Sequence, residues 1–203
     1  KFSNTLPVSA RFDARDSLGG GGVTFGTFMW TPGTLKLDND LRLSDQLTAR
    51  SAGRFDKVNL DIARLQALPA GLSLYARGSG QWTRDNLDSS EDFGLGGPAG
   101  VRAYPVGEGY GDRGWLAQLE LRYAAGAVNP FVFYDTGQVR LISRPWASGD
   151  NHRKVAGAGV GARLALQGWQ AEATLAWRTS GGDPRSDTRK RTPTAWLSAQ
   201  YQF

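Results

Sequence analysis

A chain of 203 residues with no cysteine and one histidine, His152, excludes disulfide frameworks and cysteine metal sites and argues against a histidine-based metal or catalytic centre. No stretch approaches the roughly 20 apolar residues that a membrane helix needs, and no signal peptide is visible at Lys1-Phe2-Ser3. A net charge of +5 implies no more than weak affinity for anionic surfaces, and a mean hydropathy of −0.40 fits either a soluble protein or one whose polar and apolar residues alternate.

Alternation begins at once. Leu6, Val8, Ala10, Phe12 and Ala14 share one face and Ser9, Arg11, Asp13 and Arg15 the other, the period of a strand with one wet face. A glycine turn at 18–22 leads to a second strand, Gly22 to Gly33, with Val23, Phe25, Thr27 and Met29 on one side. The polar, charged stretch 34–53 reads as a long loop. A third strand runs from about Arg54 to Leu68, with Val58, Leu60 and Ile62 opposed to Lys57, Asn59 and Asp61. After the turn 68–71, a fourth strand, Leu72 to Thr83, places Ser73, Tyr75, Arg77, Ser79 and Gln81 on its wet face.

Residues 84–113 are too rich in glycine for a helix and lack the alternation of a strand. Their Val, Tyr and Pro content argues for order, so they read as a long loop folded back against a barrel, with Arg102 as its charged tip. The fifth strand, Trp115 to Tyr123, alternates most cleanly: Trp115, Ala117, Leu119, Leu121 and Tyr123 against Leu116, Gln118, Glu120 and Arg122, with aromatic ends as at a membrane interface. A turn at 124–129 precedes a sixth strand, 130–142, and a loop to Arg153. The seventh strand, Lys154 to Leu166, carries Gly157, Gly159 and Gly161 on one face, which leave lumen space beside the loop or curve the strand. Gln167-Gly168 turns into the eighth, with Trp169, Ala171, Ala173, Leu175 and Trp177 opposed to Gln170, Glu172, Thr174 and Arg178. A charged loop, 181–192, precedes a last strand, Thr194 to Phe203.

The reading is nine strands and no helix. Long connections (34–53, 84–113, 143–153, 180–193) alternate with short ones (18–22, 68–71, 124–129, 167–168), and the charges lie opposite the apolar stripes. A soluble sandwich gives no reason for alternating loop lengths. An antiparallel transmembrane β-barrel with a wet lumen, short periplasmic turns and long external loops does. Bacterial single-chain barrels close with an even number of strands, and open edges in lipid cost several kcal/mol per unpaired backbone group. Residues 1–203 are therefore expected to be part of a larger barrel.

With the loop and strands placed, the run Leu95-Gly96-Gly97-Pro98-Ala99-Gly100-Val101-Arg102-Ala103-Tyr104-Pro105, then Gly111-Asp112-Arg113-Gly114-Trp115 and Glu120-Leu121-Arg122-Tyr123, resembles the Omp85 superfamily. More narrowly it resembles the TpsB transporters of two-partner secretion, the haemolysin and filamentous-haemagglutinin exporters. Phe133-Tyr134-Asp135-Thr136-Gly137 fits the superfamily's F-x-D-x-G strand motif, and Phe203 resembles a C-terminal outer-membrane assembly signal. Gln81-Trp82, Asn86-Leu87-Asp88 and Phe93 also look typical of the group. Ala103 stands where the wider superfamily often has glycine.

The resemblance implies a sixteen-stranded outer-membrane barrel preceded by periplasmic POTRA domains, of which this chain is the last nine strands. It also implies that loop 84–113 folds into the lumen through Val101, Arg102, Ala103 and Tyr104. A loop that re-enters a lumen needs an anchor, and an arginine fork on a carboxylate is directional and stays ionised; the residues alone also allow a solvated loop Arg102 and a lumen Asp135 that never meet, and the resemblance favours their pairing. Phe133 and Gly137 support that strand; Glu120 and Arg122 either join the network or merely line a wet pore.

The expected activity is export of an unfolded exoprotein, a TpsA-like adhesin or haemolysin, without nucleotide or other cofactor. Alternatives are another Omp85 barrel (an assembly factor or a patatin-like autotransporter) and a passive porin. Outer-membrane lipid, lipopolysaccharide and the barrel-assembly machinery are expected partners. Nucleic acid is not, since Arg189-Lys190-Arg191 is a three-residue loop run better read as a lipopolysaccharide-facing or solvated tip. Gly107-x-Gly109-x-Gly111 lacks the strand–helix setting of a nucleotide motif, and His152 has no nucleophile motif near it, so no enzyme is expected.

Overall fold

The computed structural model describes residues 1–188 and 190–202. Its strands are β1 (Phe2–Thr5, continued by Val8–Asp16), β2 (Gly22–Lys36), β3 (Gly53–Ala67), β4 (Leu72–Thr83), β5 (Arg113–Tyr123), β6 (Val128–Arg140), β7 (His152–Leu166), β8 (Trp169–Ser180) and β9 (Thr194–Tyr201). Each pairs antiparallel with the next in a single sheet whose edges are β1 and β9. The two segments of β1 keep one register along β2, Thr5 opposite Gly33 and Val8 opposite Trp30. Their break falls at Leu6-Pro7, where proline has no N–H to give the ladder.

The expected strands are all present, with ends moved by a few residues. One expectation is corrected: stretch 34–53 is not all loop but holds a helix, α1 (Asn39–Leu47). The Asp38 carboxylate caps it by accepting from the Leu41 N–H at 3.3 Å, with Asp40 in the first turn. A surface helix this polar offers little apolar period to read. Loop 84–113 contains a two-residue ladder, Phe93–Gly94 against Tyr110–Gly111. Phe203 lies outside the described residues.

Burial separates the two faces. On β5, Leu116, Gln118 and Glu120 are buried while Trp115, Leu119, Leu121 and Tyr123 are exposed. The same inversion, apolar side chains outward and polar ones inward, runs through Phe28, Trp30 and Ile62 and on to Leu175 and Trp177. A soluble sheet buries its apolar face; a membrane barrel gives it to lipid. The chain's core lies on the inner face instead. Leu95, Val101, Ala103 and Tyr104 of loop 84–113 pack on Leu116, Phe131, Phe133, Val139, Val155 and Ala176 of β5–β8.

Candidate functional site: the seat of loop 84–113

The loop first folds on itself. Val101 N–H donates to the Leu95 carbonyl at 2.7 Å, Gly97 N–H to Tyr104 at 3.0 Å and Tyr104 N–H to Val101 at 3.0 Å. A side chain at Gly100 would collide with the Leu95 carbonyl, so the knot requires glycine there. This presents residues 101–104 to the wall as one rigid tip.

Arg102, 3% exposed, meets the fully buried Asp135 of β6 as a fork: Nε donates to Oδ2 at 2.8 Å and Nη2 to Oδ1 at 2.7 Å. The Arg102 backbone N–H adds a third bond to Oδ2 at 3.1 Å. Nη1 donates to Glu120 Oε1 on β5 at 2.6 Å. The guanidinium lies over the Phe133 ring, 3.6 Å from its centroid. Glu120 also holds Arg122 at 2.7 Å and Arg163 at 3.1 Å, and Arg163 continues to Glu172 at 2.6 Å. Among the described residues, Asp135 takes its side-chain hydrogen bonds and its ion pair from Arg102, whereas Glu120 has three arginines. The structure thus brings Arg102, Asp135, Glu120, Arg122 and Phe133 together.

The rest of the tip is fastened by β8 and β9. Trp196 Nε1–H donates to the Arg102 carbonyl at 2.7 Å and Thr194 Oγ1 to the Ala103 carbonyl at 3.0 Å. The Tyr104 hydroxyl lies 2.8 Å from the Ser180 and Gly182 carbonyls. Gln118 Nε2 donates to the Gly100 carbonyl at 3.0 Å.

Glycines in the wall make the fit possible. A methyl at Gly157 would strike the Ala103 methyl, whereas at Gly159 and Gly161 it would strike the rings of Phe133 and Phe131, their partners across β6–β7. Of these three, Gly157 makes room for the loop itself, and the other two make room for the aromatic bed beneath Arg102. Gly137 clears Leu95.

A second fastening has no signature in the sequence. Glu108 of the loop, fully buried, accepts from Arg153 Nε at 2.6 Å, the Arg185 N–H at 2.9 Å, the Ser186 N–H at 3.1 Å and Ser186 Oγ at 2.9 Å. Arg153 also donates to the Gly181 carbonyl at 2.6 Å and the Asp183 carbonyl at 3.0 Å. Loop 84–113 is thereby clasped to β7 and to the β8–β9 connection. Burial alone would raise the Glu108 carboxyl, but the Ser186 N–H and the Arg153 guanidinium outweigh it and hold its pKa below the usual range. The only hint in the sequence was an acidic residue set inside a glycine run. Near the loop's start, burial and then the Asp112 and Asp88 carboxylates push Asp92 up to about 7, with Lys57 pulling the other way. Among the described residues, no group of His, Asp and Glu is arranged to hold a metal ion.

A family model described as haemolysin secretion/activation protein ShlB/FhaC/HecB matches residues 3–164. Among solved structures, CdiB from Escherichia coli superposes with a TM-score of 0.70 at 16% identity, covering 95% of this chain and 35% of that one. CdiB from Acinetobacter baumannii gives a TM-score of 0.47 at 14% identity, over 97% of this chain and 41% of that one. This chain therefore spans well under half the length of either. No curated protein matches it.

Proposed function

This chain belongs to the haemolysin secretion/activation protein family ShlB/FhaC/HecB, whose members are outer-membrane β-barrel transporters, and on that premise we propose that its nine strands are the C-terminal part of a pore exporting an unfolded exoprotein. The free edges of β1 and β9 are then completed by strands outside this sequence, in a sixteen-stranded barrel preceded by POTRA domains. The single observation that carries the reading is the buried Arg102 on a loop tip, forked onto Asp135 of the wall. A loop so held inside the pore is a lock: it occupies the lumen until the ion pairs are exchanged. Export is proposed to run without nucleotide, driven by folding of the cargo outside. The cargo is a TpsA-like adhesin or haemolysin, lipopolysaccharide surrounds the external rim, and the barrel-assembly machinery receives Phe203 as its signal.

The test is Arg102→Glu in the full-length protein, which sets a carboxylate against Asp135 and Glu120. Export of the cognate exoprotein to the medium should stop while the protein still reaches the outer membrane. Normal export would overturn the lock, and liposome conductance indifferent to cargo would favour a passive porin.

A further inference from the structure

The lipid-facing side of the sheet carries a cationic patch on three neighbouring strands. Arg113 of β5 stands directly opposite Arg140 of β6, and Arg140 opposite His152 of β7. One pleat further into the sheet, Trp115 faces Gln138, and Gln138 faces Lys154. Alternation fixes their side: Gly114, Val139 and Arg153 are buried on the inner face, so their neighbours point outward. All lie at the end of the strands from which the long connections emerge.

Like charges directly opposed across strands destabilise a sheet. Here no carboxylate lies between them: none of the ion pairs among the described residues includes Arg113, Arg140, His152 or Lys154. Arg113 Nε is spent on Ser143 Oγ at 3.0 Å and Arg140 Nε on the Ile142 carbonyl at 3.2 Å, which leaves the outer nitrogens of both forks without acceptors among the described residues. Two acids come near. Asp112, behind Arg113, is buried and engaged by the Leu87 and Ser143 N–H groups, and Asp150, beside His152, is held by Arg185 and the His152 N–H. Outward Arg64, at the opposite end of β3, has its own carboxylate, Asp16, at 2.7 Å.

We propose that this patch is a binding site for the phosphate groups of an outer-leaflet glycolipid, with Arg113, Arg140 and Lys154 as its ligands and Trp115 against the boundary of sugar and acyl chain. A phosphate bridging the two forks turns an opposed pair of cations into a charge-assisted contact, and an indole beside it suits the membrane interface. The proposal rests on the outer-membrane placement and the lipopolysaccharide contact given above, but not on export.

The test uses the purified full-length protein in detergent, with native mass spectrometry against bisphosphorylated lipid A, monophosphoryl lipid A and inorganic phosphate. The triple variant Arg113→Gln, Arg140→Gln, Lys154→Gln should bind lipid A about tenfold more weakly than the parent, a loss of about 1.4 kcal/mol. Monophosphoryl lipid A should bind the parent less well, and Arg64→Gln should leave binding unchanged. Heat-modifiable mobility checks folding; if the triple variant does not fold, Lys154→Glu alone, at an exposed position, should show the same direction. Lipid A binding by the folded variant within about twofold of the parent would overturn the site, as would equal competition by inorganic phosphate. Binding is read without cargo, so a protein that holds lipid A but exports nothing would sink the export reading alone.

Discussion

The inner face of the sheet is two surfaces. Over β5–β8 it is dry and crowded, with aromatic rings, glycines and buried ions under the loop. Over β1, and over the ends of β2 and β3 away from the long connections, it is more open: Ser9, Arg11, Asp13 and Arg15 are exposed and even Phe25 is 41% exposed, whereas Leu35 and Phe55, nearer those connections, are buried. Both halves obey the same period-two pattern, so the pattern is not what separates them. The loop is. The sheet's main core cluster forms where a re-entrant segment supplies its second layer, and the wall there is shaped residue by residue to accept it.

The largest effect should come from orphaning Asp135. Arg102→Ala leaves a fully buried carboxylate without its fork, at a cost to loop seating of about 3–5 kcal/mol. Protease protection of residues 84–113 would measure it. Adding Asp135→Ala should recover part of the loss, because the orphaned charge is then gone; a strictly additive double mutant would mean the two do not act as a pair.

Glu108→Gln keeps an acceptor oxygen but removes the charge that Arg153 and two N–H groups address, and should weaken the clasp by about 1.5–3 kcal/mol. Faster hydrogen exchange should follow at the 181–188 backbone as well as in the loop, and change confined to the loop would show that the two segments are not clasped. Gly157→Ala should cost about 1–3 kcal/mol through its clash with the Ala103 methyl. Ala103→Gly in the same protein should restore most of it, read as the thermal midpoint.

Acidity acts on the same seat. Asp92 is favoured protonated in the closed loop, so its burden is absent below about pH 4, grows as pH rises, and is complete above about 7. Loop protection should therefore decline across that window relative to Asp92→Asn, which lacks the slope; parallel curves would refute the assignment. Smallest of all, Asp61→Asn on the open wall breaks a half-exposed pair with Arg77 and should change stability by no more than about 1 kcal/mol. A loss rivalling that of Arg102→Ala would erase the distinction between the walls.

Strands were legible because lipid and lumen each impose a side on alternate residues; Trp115 to Tyr123 is read the same way in sequence and structure. Helix α1 was not, since its evidence is one capping carboxylate in a polar stretch. Arg153 read as the end of a loop, yet it is the second residue of β7 and points inward, where charge belongs. The Arg102–Asp135 contact was legible through the resemblance, which singles out Asp135 in the F-x-D-x-G motif, together with the need of a re-entrant loop for an anchor. The Glu108–Arg153 contact joins residues 45 apart through irregular segments, and no period or spacing announces it.

One contact also sets an order in time. The Arg102 carbonyl is capped by Trp196, 94 residues later in the chain, and Tyr104 reaches carbonyls 76 and 78 residues away. Contacts between such distant positions form late, after nearer pairings have drawn the ends together. Loop 84–113 is synthesised before β5–β9 exist, yet its tip finds its final partners only when β9 has been laid on β8. Full seating of the tip therefore waits for β9, and a sheet still lacking β9 leaves the Arg102 carbonyl without its indole cap.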